Sequence, residues 1–404
     1  MDRYRHLFIG GGMVAGYALK ELADRGLLVS GEAAIVSADA HPPYERPPLS
    51  KGYLAGQEDE STIYINPPDF YTSKGVTLRL NTVVERIEPA QHQVQLASGE
   101  QIGFENLIIA TGATPRKLDI PGIHLEGIHY LRSLDDSSQI RRDAEGHGLA
   151  IVVGGGFIAM EVSAILALQG VMPSMLFPGE RVWERLFTPA MSAFFENYFI
   201  ERGVMIRPRH MVTAFEGNGR VRHAITANGD RIPGEVAVIG AGVSPATAVA
   251  DGSGLQVDNG ITVDEYLQTS VPGIYAAGDV ANYNDTLFGR RRRFEHWDNA
   301  VEQGKHIART LSGDRQPYVH IPYFFSDAFD LSYEYWGDAT GATAAFTAGK
   351  PNDASFSTWW TRDGAVIAAF VLNRPDAERD LAQQLIRDQQ PLPHDFPSAP
   401  TPLA

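Results

Sequence analysis

Two short stretches carry the residue types that hold phosphate. In "FIGGGMVAGYALKEL" Gly10, Gly12 and Ala15 fit G-x-G-x-x-A, and in "VVGGGFIAMEVSAIL" Gly154, Gly156 and Ala159 fit it again. The first glycine makes a tight turn, the second lets a pyrophosphate approach the backbone, and the third small residue lets helix and strand pack closely. A helix that starts at such a turn aims N–H groups and a positive dipole end at the phosphates. One match is also what an ordinary strand-to-helix turn looks like. Two in the same context point to two dinucleotide sites in one chain, for a flavin and a nicotinamide dinucleotide. Asp39, at the end of "EAAIVSADA", supplies a carboxylate for a ribose hydroxyl, somewhat beyond the usual spacing of about 20 residues.

The elements around these turns follow from periodicity. Residues 4–9 read as a buried strand, and Val14, Ala18, Leu19 and Leu22 fall at helical spacing behind it. Ile151–Val153 and the segment ending near Gly170 repeat the arrangement. Two further apolar runs end in small residues that permit close backbone approach: "NLIIATGATPR" with Ala110, Thr111, Gly112 and Arg116, and "GIYAAGD" with Gly278 and Asp279. The first is otherwise a plain strand end, and Asp279 is otherwise a cap on the next segment. From Ile321 the pattern turns aromatic and strand-like, with a turn expected at Asp363-Gly364, and then helical in "DAERDLAQQLIRD". The tail from about 391, with five prolines and no periodicity, is expected to be extended or disordered.

Composition limits the partners. The chain has 404 residues, too many for one ordinary core, and a formal net charge of -15, which argues against nucleic acid and anionic membranes. No apolar run approaches a membrane span, and strand-like sequence from about Tyr4 leaves no room for a signal segment, so a cytoplasmic location is expected. There is no cysteine, which excludes disulfides, Cys-ligated metal sites and redox through a protein thiol. Against this acidic background "LFGRRRRFEHWDNAVEQGK" sets Arg290, Arg291, Arg292 and Arg293 in a row. Such a run is either a solvated loop or strand edge, or a local patch that steers an acidic partner. As a strand it would turn alternate arginines to opposite faces.

Six blocks in order, "YERPPLSKGYL", "LIIATGATPRKL", "GGGFIAMEV", "VIGAGVSPAT", "GIYAAGDVA" and "EHWDNAVEQG", resemble the putidaredoxin-reductase-like ferredoxin reductases, within the glutathione-reductase-type flavoproteins. The monodehydroascorbate-reductase and apoptosis-inducing-factor branches share most of them. The resemblance implies an α/β fold with two Rossmann-like dinucleotide-binding domains and a C-terminal α+β interface domain. It places an FAD domain at 1–113 and 247–320, an NAD(P)H domain at 114–246 and the interface domain at 321–404.

It also implies site roles. FAD would meet Gly10, Gly12, Ala15, Asp39, Arg46, Pro47, Lys51, Val84, Ala110, Thr111, Gly112, Arg116, Gly278, Asp279, His296, Trp297 and Phe325. NAD would meet Gly154, Gly156, Phe157, Ile158, Glu161, Glu180, Ala241 and Gly242. Lys51 would lie by the isoalloxazine with Glu161 as its partner, although a solvated lysine and a first-turn glutamate are the plainer reading. Trp297 would either stack near the flavin or lie in the core beneath it. Arg290–Arg293 would rim the exit for electrons.

Two features depart from the ferredoxin-reductase pattern. Phe325 stands where a tryptophan often precedes Ser-Asp, and "LFPGERVWERLF" follows the second turn; both lean toward the other two branches. At the position of the NAD-selecting glutamate stands Phe177, with Glu180 favouring NADH and Arg181 tolerating NADPH. The expected function is transfer of electrons from NADH through FAD to an acidic [2Fe-2S] ferredoxin of an oxygenase system, by a monomer or homodimer. The alternatives are reduction of a small acceptor, monodehydroascorbate or quinone, and a redox-sensing interaction protein like apoptosis-inducing factor.

Overall fold

The apolar run at the start of the chain is the strand Asp2–Ile9, whose Leu7, Phe8 and Ile9 are almost wholly buried. A strand buried on both faces reads as a continuous apolar run because it lies inside a parallel sheet. The computed structural model describes residues 1–403. They divide into two units, one of residues 1–46, 60–114 and 243–322, the other of 47–59, 115–242 and 323–404.

In the first unit Asp2–Ile9 pairs in parallel with Ala33–Val36 on one side and Gln101–Ile109 on the other. Thr77–Arg79 extends one edge, and Ile274–Ala276 pairs in parallel with the far end of Gln101–Ile109. Antiparallel strands Gln93–Leu96 and Val84–Glu88 continue from its near end. The helix Met13–Asp24 buries Val14, Ala18, Leu19 and Leu22, as their spacing predicts. Helix Trp297–Leu311 lies against it so closely that a Cβ on Gly304 would stand 2.8 Å from the Val14 carbonyl oxygen.

The second unit repeats the parallel core with strands ordered Met205–Pro208, Met172–Phe177, Leu149–Val153, Val236–Ile239 and Ile128–Tyr130. Helix Phe157–Leu168 follows the second glycine turn. Within the same unit the C-terminal residues form a six-stranded antiparallel sheet and the helix Asp376–Asp388. Aromatic rings of helix Pro189–Ile200 fill the space against that sheet: Phe195 meets Tyr333 at 5.0 Å and Phe194 meets Phe356 at 5.3 Å. Asp363 and Gly364 join two strands with φ of +53° and +86°, the left-handed pair that a two-residue hairpin requires.

One expectation is corrected here. Residues 47–59, expected within the first domain, pack with the second unit, where Ser137 donates to the Leu49 carbonyl at 2.7 Å. The proline-rich tail takes the extended one of its two expected states: Ser398–Thr401 adds an antiparallel edge strand to Ala344–Lys350. Proline is tolerated at a sheet edge, where its missing N–H breaks no interior ladder. Phe396 anchors the approach, edge-on to the buried Trp359 at 5.1 Å between centroids. Phe396→Ala is expected to lower stability by about 1 kcal/mol, the value for losing a half-buried ring. Thermal unfolding would read this as a fall of a few degrees with the bound-flavin spectrum unchanged.

Candidate flavin and nicotinamide sites

The first unit brings four strand ends together. Ile9, Ile109 and Ala276 are in register as neighbours, and the Gly10 N–H donates to the Val36 carbonyl. Ligands of open parallel sheets lie at this carboxyl edge, where the helices depart. Gly10 has φ +107°, and a Cβ there would lie 2.3 Å from the Ala110 carbonyl oxygen, so only glycine fits. Gly12 is the opposite case: a Cβ on it would meet nothing within 4 Å. Helix Met13–Asp24 starts there with no side-chain cap and no acid in its first turn, which leaves its end N–H groups to a phosphate. Ala15 is fully buried at the packing position.

The second unit repeats the construction. Gly154 has φ +136° and a Cβ would stand 2.5 Å from the Gly240 carbonyl oxygen; Gly156 again faces open space. Helix Phe157–Leu168 is likewise uncapped and free of acids in its first turn. By contrast the helices Leu134–Ala144 and Pro189–Ile200 are capped by Ser133 and Thr188. These two open glycine turns fit the pyrophosphates of two dinucleotides.

Around the first turn, Thr111 donates to the Ala246 carbonyl at 2.7 Å and Gly112 has φ +70°. Asp39 is held beyond the strand end, accepting from Tyr44 Oη at 2.9 Å and from the His41 N–H at 3.1 Å. Asp279 is buried on the short turn Gly278–Val280, whose Gly278 N–H donates to Gln303 Oε1 at 2.7 Å. His296 precedes helix Trp297–Leu311, and the Trp297 indole donates to Glu45 Oε2 at 2.5 Å. Tyr17 donates to the other oxygen of Glu45. Arg46 lies 5.4 Å from the Tyr44 ring, and Val84 packs against this unit's core.

Pro47, Lys51, Arg116 and Phe325, also expected to meet FAD, belong to the second unit. There Lys51 reaches three groups: Asp327 at 3.1 Å, Glu161 at 3.6 Å and the face of Phe325 at 4.9 Å. Glu161 is buried and accepts from Ser50 and Ser326 at 2.5 Å each. Burial pushes its carboxyl above the ordinary range, with Lys51, Ser326 and Ser50 pulling it back. Arg116 is exposed, its backbone N–H donating to the Gly242 carbonyl at 2.9 Å.

Of the nicotinamide set, Phe157 packs edge-on against Phe324 at 4.5 Å, Ile158 is exposed, and Ala241 and Gly242 follow the strand Val236–Ile239. Phe177 ends its strand buried under Gly155, so it presents no group to a ribose. Glu180 is exposed and paired with Arg209 at 3.0 Å, a cation the sequence reading did not single out.

The arginine run departs most from expectation. Arg290–Arg292 is an edge strand, but the four side chains do not form a patch. Arg292 is buried against Asp285 and lies between the rings of Phe288 and Phe294, at 4.1 and 4.6 Å. Arg293, with its side chain 8 % exposed, pairs with Glu295 at 2.6 Å. Arg291 donates to the Val263 and Asn282 carbonyls at 2.7 and 2.5 Å. An acidic chain has carboxylates and carbonyls enough to draw these cations inward, so Arg292 and Arg293 are corrected from docking residues to internal ones. Glu45, Ser50, Gln303, Ser326 and Asp327 were missed although each lies inside or beside a quoted block. Their signal was adjacency, and their partners are far away in sequence.

Comparison with known proteins decides the family: the model for pyridine nucleotide-disulphide oxidoreductases matches residues 4–304. The chain belongs to that family. Lacking cysteine, it carries no disulfide of the kind in the family's name. A model for the C-terminal domain of monodehydroascorbate-reductase-3-like proteins matches residues 321–395. The chain is 33% identical to a monodehydroascorbate reductase of Solanum lycopersicum over 96% of its own length and 95% of the relative's. It is 34% identical to a ferredoxin–NAD(P)(+) reductase of Sphingomonas sp, covering 88% and 86%. A solved chain of the covalent putidaredoxin reductase–putidaredoxin complex superimposes with a TM-score of 0.92 at 32% identity, covering 97% and 94%. The protein is therefore an NAD(P)H-dependent FAD oxidoreductase of α/β fold, and no helix among the described residues is long and apolar enough to cross a membrane.

Burial pulls the His296 imidazole from 6.5 to about 4, against the opposite pull of Asp279 and Asp298. The unfolded chain takes up this proton near 6.5 and the folded chain resists it until about 4. The stability His296 contributes is thus intact above 6.5 and lost progressively as pH falls toward 4. His296→Gln is expected to remove about 1–2 kcal/mol of the destabilisation seen at pH 5. Denaturant midpoints of both proteins at pH 7.5 and 5 check it; an equal acid loss in the variant would contradict it.

Proposed function

We propose that the protein passes electrons from NADH, through FAD, to a [2Fe-2S] ferredoxin. The observation that carries this reading is the likeness over nearly the whole chain to a putidaredoxin reductase solved with putidaredoxin. The absence of cysteine agrees with it, because electrons leaving such a chain must go directly to an external acceptor. When bound, FAD supplies the chemistry, taking two electrons from NADH and releasing them one at a time.

The chain's residues bind, orient and supply charge. The open turn at Gly12 receives the FAD pyrophosphate and that at Gly156 the NADH pyrophosphate, each on uncapped helix N–H groups. Asp39 and Asp279 take FAD hydroxyls. By the family resemblance Lys51 would lie by the isoalloxazine, where its ammonium would favour negative charge on the ring. Glu161 and Asp327 hold that ammonium in place and moderate it. Glu180 disfavours a 2′-phosphate and Arg209 beside it weakens that preference, so NADH is preferred without NADPH being refused. With Arg292 and Arg293 turned inward and Arg291 Nη1 held by two carbonyls, docking of an acidic ferredoxin rests on a smaller local charge, the half-buried Arg290 and the exposed Arg291, than a run of four suggests.

A second reading, reduction of a small acceptor of the monodehydroascorbate or quinone type, is favoured by the C-terminal domain match and by Phe325 in place of tryptophan. Stopped-flow mixing of the anaerobically reduced protein with each acceptor separates the two. The ferredoxin reading expects fast oxidation by an acidic [2Fe-2S] ferredoxin that slows as salt rises, since screening weakens such encounters within a Debye length of about 10 Å at 0.1 M. Fast oxidation only by monodehydroascorbate or quinone, indifferent to salt, would replace it with the small-acceptor reading.

A further inference from the structure

We infer that Arg293 is a positioning residue for the cofactor: it holds the turn Gly278–Asp279 in the shape that receives FAD, so the arginine run contributes to cofactor retention. This rests on Asp279 as a flavin ligand and is independent of which acceptor the enzyme serves.

Gly278–Val280 is a single short turn, and Gly278 sits at φ +80°. It is tied from two sides. On one, the Gly278 N–H donates to Gln303 Oε1 at 2.7 Å, and the fully buried Gln303 donates to Asn299 at 3.3 Å. On the other, Arg293 Nη1 donates to the Asp279 carbonyl oxygen at 3.0 Å. The same guanidinium pairs with Glu295 at 2.6 Å and reaches Asn259 Oδ1 at 3.4 Å. A planar fork of donors spans three acceptors in this way, which a lysine ammonium on its flexible stem does not.

The path of the side chain is cleared for it. Gly260 has φ +120°, and a Cβ there would lie 3.0 Å from Arg293 Cδ. With its side chain 8 % exposed, the guanidinium is shielded from water, so its hydrogen bond to the Asp279 carbonyl is not readily exchanged for one to solvent. Arg293 thus bonds the backbone of Asp279 at the turn itself. Arg292, in contrast, is spent on Asp285 and braces the neighbouring strand.

The test is release of FAD from the holoenzyme on dilution, followed as recovery of free-flavin fluorescence, for wild type, Arg293→Ala, Arg293→Lys and Asp279→Asn, with thermal midpoints measured alongside. Arg293→Ala is expected to release FAD about 10–100-fold faster, the range for losing a hydrogen bond from a charged donor. Arg293→Lys, which keeps the charge and is the milder change should the alanine variant not fold, is expected to fall between. Asp279→Asn is expected to release FAD faster as well. If Asp279→Asn lost FAD quickly while both Arg293 variants released it at the wild-type rate, even with lowered midpoints, Arg293 would be a brace only and the inference would be overturned. If Asp279→Asn retained FAD like wild type, the assignment of this turn to the flavin would fall, and the inference with it.

Discussion

Everything in this protein depends on a backbone approach that no side chain permits. At each dinucleotide turn a carbonyl oxygen of the neighbouring strand end occupies the place where a Cβ would be, 2.3 Å from that position at Gly10 and 2.5 Å at Gly154. Real Cβ atoms do not come that close to backbone, and both residues also have positive φ. The strand can therefore turn directly into its helix beside the adjacent strand end, with no loop between. That sets the helix N-terminus at the sheet's carboxyl edge, and the second glycine of each turn leaves the space above it clear.

Charge is organised on the same principle of local over global. A net charge of -15 repels dinucleotides at long range, but screening confines that repulsion to roughly a Debye length of 8–10 Å. Inside that distance the uncapped helix ends decide. The buried cations answer to local carboxylates in the same way: Lys51 lies between Glu161 and Asp327, Arg292 against Asp285, Arg293 against Glu295. Such pairs add little net stability: Asp327 and Glu295 stay partly exposed to solvent, and for Arg292 with Asp285 desolvation offsets most of the attraction. Their use is geometric, since each fixes the direction of a side chain or loop.

What was legible in the sequence was whatever depends on neighbours within a turn or two. Glycine spacing located both tight strand-to-helix turns, apolar periodicity located the helix behind the first, and Asp363-Gly364 located a hairpin. The helix Asp376–Asp388 coincides with the stretch read as helical. What was not legible depends on partners remote along the chain. Arg293 is claimed by the Asp279 carbonyl and by Asn259, Trp297 by Glu45, and Glu161 by Ser50 and Ser326. A run of four arginines looks like a surface patch because several of its acceptors, the carbonyls of Val263, Asn282 and Asp279 and the side chain of Asn259, lie 9 to 34 positions away. The tail's extended state was legible from its prolines but its pairing was not, because Ser398–Thr401 and Phe396 meet partners remote along the chain, Ala344–Lys350 and Trp359.

The measurement that bears most directly on this account fills the open space above each turn separately. Gly12→Leu and Gly156→Leu would be purified, and each assayed for bound flavin by its visible spectrum and for NADH binding by equilibrium titration, with thermal unfolding as the check on folding. The account predicts that Gly12→Leu folds but loses its FAD, and that Gly156→Leu keeps its FAD while binding NADH at least 10-fold more weakly, since a displaced phosphate contact at a helix end is worth about 1–2 kcal/mol. Folded variants that both retain FAD and NADH, or that exchange these two losses, would contradict it.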